Sequence, residues 1–247
     1  MVYTLLHYIH LLDPLEKKYF SKREKFIKSK DAVDIANNPF LYATRQSVTD
    51  FQLRVDLFQK VKGVSGHIVE CGVNRGNSLM LYSHLSSIHE PYAINRKIVG
   101  FDTFEGFRSI DSEHDPKDIS EDDFKVAGTL DTLQESISLY DMNRPISHMS
   151  RCEIVIGDAV KTIPEYVELH PEMTISLLYL DFDLYKPTLV ALQNLLPLVC
   201  KGGIVALDEF NYDKFAGETE ALKEVLDINN IKLEKFTYAP FVAFFER

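Results

Sequence analysis

Residues 68–76 read Ile-Val-Glu-Cys-Gly-Val-Asn-Arg-Gly, and this stretch decides the predicted fold. An apolar run ends at Glu70, a turn with Gly72 and Gly76 follows, and helix-forming residues begin at Ser78. The order predicts a strand, a glycine turn and a helix. Glycine has no side chain, so such a turn lets bare backbone approach a ligand closely.

The spacing of this turn narrows the choice of ligand. It reads acidic-x-Gly-x-x-x-Gly, which differs from the Gly-x-Gly-x-x-Gly pattern of nicotinamide and flavin enzymes. A pyrophosphate prefers amide donors at a helix N-terminus and would be repelled by a carboxylate. Glu70 therefore favours a ligand with a cationic amino acid group, such as S-adenosylmethionine (SAM). The alternative is a solvated side chain at a strand end.

Composition sets the broad class. The chain has 247 residues, 45% hydrophobic content and a formal net charge of −10, which predicts an ordered domain with a full core. The negative charge argues against a nucleic-acid partner, because phosphate binding uses clustered Lys and Arg. The basic stretch 17–30 also contains acids and aromatics, so we interpret it as a solvated helical face.

The cysteines and the N-terminus give further predictions. Cys71, Cys152 and Cys200 are odd in number and widely spaced, which indicates neither a disulfide framework nor a thiolate metal site. A reducing cytoplasm fits this pattern. The apolar segment 3–12 is too short to span a bilayer, and we expect a packing helix there and no membrane span. This segment can cover either the protein's own active site or a partner subunit, and we favour a homodimer.

The chain divides by pattern near residue 60. Residues 1–60 are predicted to form a helical segment that serves as a lid or an oligomer contact, with Thr49 or Asp50 as the cap of its last helix. Residues 61–247 are predicted to form the second domain, in which short apolar runs alternate with amphipathic stretches. The runs are residues 67–71, 97–101, 153–156, 175–180, 203–207, 232–236 and 241–245.

These runs predict an α/β fold with a mostly parallel, seven-stranded sheet covered by helices on both faces. Only residues 237–240 separate the last two runs, which is too short for a crossover helix, so these strands should form an antiparallel hairpin. Five helix-linked strands followed by a hairpin is the order of the Rossmann-like class I methyltransferase fold. A nicotinamide-binding domain would be expected to stay parallel.

An insert, residues 103–150, interrupts this alternation. It is acidic over 111–123 and predicts a helix over 129–140. Long inserts at the carboxyl ends of strands are usually lids or substrate loops, and a disordered loop is the alternative. His114 and His148 lie in the insert, where they are interpreted as solvated loop residues, and contact with substrate is the alternative.

Acidic residues follow all five helix-linked strands, at the sheet edge where α/β proteins bind ligands. Asp102 suits the ribose of SAM, and Asp158 suits the adenine edge. Any single acid could instead cap the next helix. The predicted cofactor residues are Glu70, Gly72, Gly76, Ser78, Asp102, Thr103, Asp158, Ala159 and Asp181.

The later strands predict a metal site. Asp181, Asp208 and Glu209 follow two of the later strands and should converge above them. Three oxygen ligands without His or Cys suit magnesium or manganese. Calcium is disfavoured because the sequence has no dense ligand loop.

Three stretches also carry a family resemblance: residues 69–76, residues 101–106 (Phe-Asp-Thr-Phe-Glu-Gly) and residues 180–188 (Leu-Asp-Phe-Asp-Leu-Tyr-Lys-Pro-Thr). Over residues 40–247 the chain resembles the macrocin O-methyltransferase (TylF/MycF-type) family, whose members use SAM to methylate sugar hydroxyls. The resemblance implies that Asp183 is the general base and that Asp181, Asp208 and Glu209 occupy the magnesium positions. Glu209 replaces the family's second Asp, and Lys186-Pro187 replaces an acid-Ser pair.

The predicted function is magnesium-dependent methyl transfer from SAM to a sugar hydroxyl, with a nucleotide sugar, glycoside or polysaccharide precursor as the small-molecule acceptor. Asp183 would accept the proton of that hydroxyl, and Lys186 is the rival base. Two alternatives stay open. One is a catechol-type phenol O-methyltransferase, and the other is an inactive SAM-binding relative of the fold. The glycine spacing and the terminal hairpin disfavour a nicotinamide dehydrogenase.

Overall fold

A computed structural model describes residues 14–125 and 127–247. The chain forms two compact units, one up to Gln52 and one comprising Leu53–Arg247. The packing helix expected over residues 3–12 lies outside the described residues.

The first unit contains the helices α1 (Pro14–Lys28), α2 (Ala32–Asn37) and α3 (Pro39–Tyr42), and it includes the start of α4 (Arg45–Val61). Asp31 caps α2 by accepting hydrogen bonds from Val33 N and Asp34 N. Tyr42 is buried, and its ring stacks on Phe26 with centroids 5.6 Å apart. Several apolar side chains of this unit are exposed: Leu15, Val33, Phe40, Leu41 and Val48.

The cap predicted at Thr49 or Asp50 is wrong. Helix α4 begins at Arg45, and Thr44 Oγ1 accepts a hydrogen bond from Ser47 N at 2.9 Å. A side chain that satisfies an amide of the first helical turn is the usual N-terminal stop.

The second unit is built on a seven-stranded sheet of order β3-β2-β1-β4-β5-β7-β6. The strands β1 to β5 run parallel, and β7 pairs antiparallel with both β5 and β6. This topology confirms the predicted fold class, including the terminal hairpin. The strands are β1 (His67–Cys71), β2 (Ile98–Asp102), β3 (Cys152–Ile156), β4 (Ile175–Leu180), β5 (Val199–Leu207), β6 (Glu234–Phe236) and β7 (Ala239–Glu246).

Helices cover both faces of the sheet. Alternate strand residues point to opposite faces, so Val69 and Leu178 belong to one core cluster, whereas Ile68 and Leu177 belong to the other. The helices of this unit after α4 are α5 (Asn77–His89), α6 (Thr129–Met142), α7 (Ala159–Leu169), α8 (Tyr185–Leu195) and α9 (Gly217–Val225). Within the residues that the structure describes, no helix is long and apolar enough to cross a bilayer.

The topology decides where a site can form. β1 lies in the middle of the sheet, between β2 and β4, and β5 follows β4. The carboxyl ends of these parallel strands meet at one edge, so residues distant in sequence come together there. The insert returns to this edge and contains α6, which confirms the helix predicted over 129–140.

Candidate active site

The turn after β1 approaches the end of β4 too closely for any residue but glycine. Gly72 has φ +94° and its N donates to Phe101 O at 2.9 Å. A Cβ at Gly72 would lie 1.9 Å from the carbonyl oxygen of Asp181. Gly76 has φ +80° and precedes the first residue of α5. The turn therefore depends on the left-handed backbone that glycine adopts without strain.

Asp102, at the end of β2, holds this turn in place. Its Oδ2 accepts hydrogen bonds from Val73 N and Asn74 N, both at 2.8 Å. Its Oδ1 accepts from Phe104 N at 2.7 Å. Burial raises the pKa of Asp102, and these backbone amides oppose that shift. The residue predicted to bind ribose thus shapes two loops of the site.

Asp158, at the end of β3, caps α7. Its Oδ1 accepts from Val160 N at 3.1 Å and its Oδ2 accepts from Ser109 Oγ at 2.8 Å. Ala159 is buried. The capping interpretation is therefore correct for Asp158, and its role at the adenine stays a prediction.

A cleft of about 630 Å³ opens at the carboxyl ends of β2 and β3. Thr103 and Asp158 line it together with Phe104, Leu130 and Ile156. Its volume falls within the usual range for a small-molecule site. The lining also contains charged side chains: Glu105, Arg108, Lys125, Asp131 and Lys161.

Ser78 and Asp181 lie beside a buried arginine that the sequence analysis did not single out. Arg54, on α4, is 4% exposed, and its Nε donates to Ser78 Oγ at 3.2 Å. Its Nη2 lies 4.0 Å from Asp181 Oδ2, and its guanidinium carbon lies 4.2 Å from the centre of the Tyr179 ring. Glu70 is 1% exposed and pairs with Tyr179 in the β1–β4 register.

The carboxyl groups that follow β4 and β5 form an acidic cluster, which consists of Asp181, Asp183, Asp208 and Glu209. Asp208 N donates to Leu180 O at 3.0 Å, and Tyr179 OH hydrogen-bonds Asp208 Oδ1. Glu209 is 4% exposed, and its Oε2 has no hydrogen-bond partner among the described residues. Asp183 adopts φ +61°, a conformation that only a few residue types tolerate.

Burial and mutual repulsion raise the pKa values in this cluster. Burial, followed by the Asp208 and Asp183 carboxyls, raises the pKa of Asp181 well above its ordinary value. Burial, followed by the Asp208 carboxyl, raises the pKa of Asp183 to about 7. Burial, followed by the Asp208 and Asp183 carboxyls, raises the pKa of Glu209 to about 9. Negative charge is therefore unfavourable here unless a cation compensates it.

The donor chemistry of the cluster fits a hard divalent cation, since its ligands are carboxylate oxygens and the buried Glu209 Oε2 lacks a partner in the described part of the chain. The geometry is less complete. Among residues 14–125 and 127–247, no group of three His, Cys, Asp or Glu side chains is arranged to hold a metal ion. The predicted set of Asp181, Asp208 and Glu209 therefore stays a prediction.

The rival base, Lys186, is engaged elsewhere. Its Nζ lies 3.1 Å from Asp111 Oδ2, and its side chain is 49% exposed. Its ammonium group is therefore paired with a carboxylate of the insert. The assignment of the base to Asp183 stays a prediction.

The insert docks on the helices that follow this cluster. Asp115 Oδ1 accepts a hydrogen bond from Tyr185 N at 2.8 Å. The His114 ring stacks on the Tyr185 ring with centroids 3.9 Å apart, and His114 Nδ1 lies 3.0 Å from Asp111 Oδ1. Asp111 hydrogen-bonds His114 and raises its pKa. His114 thus fastens the insert, which differs from the solvated loop residue expected.

We expect His114→Gln to lower the midpoint of thermal unfolding at pH 6 and to have a smaller effect at pH 9. The folded pKa of His114 is raised, so its charge stabilises the fold fully below its unfolded pKa of about 6.5 and this contribution disappears as pH rises through the folded value. Thermal melts of both proteins at each pH measure the difference. His148→Gln, at an exposed position of the same insert, is the control, and an equal shift in both variants would contradict the assignment.

Strand order, glycine turn and acidic strand ends together define a Rossmann-like methyltransferase. A family model described as Macrocin-O-methyltransferase (TylF) matches residues 17–238. The chain belongs to this family. Membership confirms the predicted family, and the predicted enzyme class, an O-methyltransferase, agrees with it.

Known relatives give the same picture. The 8-demethyl-8-(2,3-dimethoxy-alpha-L-rhamnosyl)-tetracenomycin-C 4'-O-methyltransferase of Streptomyces olivaceus is 26% identical over 159 residues, which are 61% of this chain and 55% of that protein. The match thus spans about half the length of this curated relative.

Solved structures are similar over most of the chain. CalS11, a calicheamicin methyltransferase, is 31% identical with a TM-score of 0.88, covering 95% of this chain and 93% of its own. Its apo structure, described as a TDP-rhamnose 3'-O-methyltransferase, is 30% identical with a TM-score of 0.82 and covers 95% of each chain. The O-methyltransferase NovP, 22% identical with a TM-score of 0.59 over 81% of this chain and 80% of its own, shows the fold alone.

Proposed function

We propose that this protein transfers a methyl group from SAM to a hydroxyl of a sugar, with a nucleotide sugar, a glycoside or a polysaccharide precursor as acceptor. The observation that carries the proposal is the placement of Asp183. This carboxyl follows β4, two residues from the point where Asp181 meets the glycine turn, and its pKa lies near neutrality. A general base works best when its pKa is close to the operating pH.

The chain's own residues supply binding, alignment and proton transfer. SAM carries its methyl group as an electrophilic sulfonium. Glu70 and the backbone of Gly72 and Gly76 would hold its methionine portion, while Asp102 and Asp158 would hold ribose and adenine. Asp183 would accept the proton of the acceptor hydroxyl on a carboxylate oxygen as the hydroxyl oxygen attacks the methyl carbon. The bond between that carbon and sulfur would break, and the sulfur would leave as a neutral thioether. The protein's main task is then to align the reacting atoms.

We also propose that Mg²⁺, or Mn²⁺, binds at Asp181 and Asp208, with Glu209 as the third ligand. A bound divalent cation would lower the charge repulsion in the acidic cluster and favour ionisation of the acceptor hydroxyl. The orphan Oε2 of the buried Glu209 supports this assignment, because a buried carboxylate oxygen without a partner in the described chain is unfavourable. Magnesium is commonly held by only one or two carboxylates, with water and substrate completing the octahedron.

A sugar acceptor is supported by the relatives. The name of the Streptomyces olivaceus enzyme includes a rhamnosyl group, and CalS11 is described as a TDP-rhamnose 3'-O-methyltransferase.

Two further parts of the proposal concern location and assembly. A cytoplasmic location is supported by three free cysteines. A homodimer is supported by exposed apolar side chains such as Phe40 and Leu41.

Calorimetric titration with SAM, with and without Mg²⁺, tests the cofactor. We expect a micromolar Kd in both conditions and loss of binding in Asp102→Ala, because that variant releases the glycine turn. No binding in either condition would contradict the proposal. A panel of nucleotide sugars, glycosides and catechols, assayed with Mg²⁺ and with a chelator, then separates the sugar acceptor from a phenol. Activity restricted to catechols, or unaffected by chelation, would overturn the corresponding part.

A further inference from the structure

Helix α9 places a fully buried carboxyl group beneath the acidic cluster. Glu218 is the second residue of α9 and is 0% exposed. Its Oε1 accepts hydrogen bonds from Phe182 N at 3.1 Å and from Asp183 N at 3.3 Å. Its Oε2 accepts from Glu209 N at 3.4 Å. One side chain therefore joins the loop that follows β4 to the loop that follows β5.

The neighbours of Glu218 reinforce this junction. Thr219 Oγ1 accepts a hydrogen bond from Asn211 N at 2.8 Å. Gly217 lets the helix approach closely, since a Cβ there would lie 2.6 Å from Tyr185 N. The first turn of α9 is thus built to present two acceptor side chains to the two loops.

Both loops need such support. Asp183 has φ +61° and Asn211 has φ +59°. Backbone in this region persists only where its surroundings fix it. Glu218 hydrogen-bonds Asp183 directly, and Thr219 hydrogen-bonds Asn211. The direction in which the Asp183 carboxyl points therefore depends on α9.

We propose that Glu218 is a positioning residue that fixes the loop of Asp183 relative to the loop of Asp208 and Glu209, an inference that rests on the proposed function of Asp183. Glu218 acts through the backbone and has no role in proton transfer. Its removal leaves the chemical groups present but lets them move. A displacement of about 1 Å at a reacting group can reduce the rate by about 100-fold.

Two variants test this role. Glu218→Gln keeps one acceptor oxygen but turns an NH₂ group toward a backbone amide, and Glu218→Met removes both acceptors at similar length. We expect kcat to fall by about 10-fold in the first and about 100-fold in the second, with the Kd for SAM unchanged within about threefold. Amide hydrogen exchange should increase in peptides covering residues 181–185 and 208–211.

Glu90→Gln is the matched control. Glu90 is also a shielded acid, paired with Arg96 at 2.8 Å far from the acidic cluster in sequence. We expect it to lower the thermal midpoint without changing kcat or exchange in the two loops. The inference is overturned if both Glu218 variants lose only stability, or if neither loop exchanges faster. If the wild-type protein transfers no methyl group, the proposed function is contradicted. The positioning role of Glu218 is then tested by the hydrogen-exchange measurement, which does not depend on activity.

Discussion

Replacement of Asp183 by Asn is expected to reduce kcat by about 10² to 10⁴-fold, the usual contribution of a general base. The variant retains the size and shape of the side chain but removes the atom that accepts the proton. The substitution adds no backbone strain that could itself lower kcat, because Asn tolerates φ +61° as readily as Asp does. Glu218 can still accept hydrogen bonds from the Phe182 and Asp183 amides.

Single-turnover kinetics with saturating SAM measure this effect, and calorimetry shows whether the cofactor still binds. Lys186→Met is the control, since Lys186 is the rival base and its ammonium pairs with Asp111 on the surface. We expect that variant to keep kcat within about threefold of wild type. Near-normal kcat in Asp183→Asn, or a large loss of kcat in Lys186→Met, would contradict the assignment of Asp183 as the base.

Strand positions were predictable because burial imposes a simple pattern. β1 spans His67–Cys71 as predicted, since four of its five residues are buried in a sheet covered on both faces. The hairpin of β6 and β7 followed from a short connection, although that connection is two residues, Thr237 and Tyr238, where four were expected. Apolar pattern and chain length, which are both local, were sufficient for these elements.

Hydrogen bonds between loops were not predictable in the same way. Asp102 was assigned to ribose from its position, yet its oxygens accept amides 28 and 29 residues away in the chain. Asp115 meets Tyr185 across 70 residues. Such contacts depend on the path of each loop, and the spacing of apolar residues in the sequence does not predict that path.

Arg54 and Glu218 were missed although the sequence contains a signal for each. Arg54 begins the spacing i, i+3, i+4, i+7 whose other members, Leu57, Phe58 and Val61, are fully buried. Glu218 begins the same spacing with Ala221, Leu222 and Val225 in α9. A charge on an apolar helical stripe is rarely buried without a partner. Reading these stripes for charged residues would have placed both in the site.

Gly72→Ala is expected to produce the second large effect, a loss of SAM affinity of at least about 100-fold with a destabilisation above about 4 kcal/mol, which is exceptional for one methyl group. Two causes act together. Gly72 has φ +94°, and its Cβ would lie 1.9 Å from the Asp181 carbonyl oxygen. Because that atom belongs to the backbone, relief requires the end of β4 to move, and Asp181 and Asp183 move with it.

Two other glycines separate these causes. Gly202 has φ +83° but only ordinary contact, with Val64 at 3.6 Å, so Gly202→Ala isolates backbone strain of about 1–2 kcal/mol. Gly63 has open space and no positive φ, so Gly63→Ala should be neutral or stabilising by up to about 1 kcal/mol. Chemical denaturation and SAM titration of the three variants measure both effects. If Gly72→Ala behaves like Gly202→Ala and still binds SAM, the turn does not depend on its contact with β4. If only Gly72→Ala loses SAM, that close approach couples the cofactor turn to the acidic cluster.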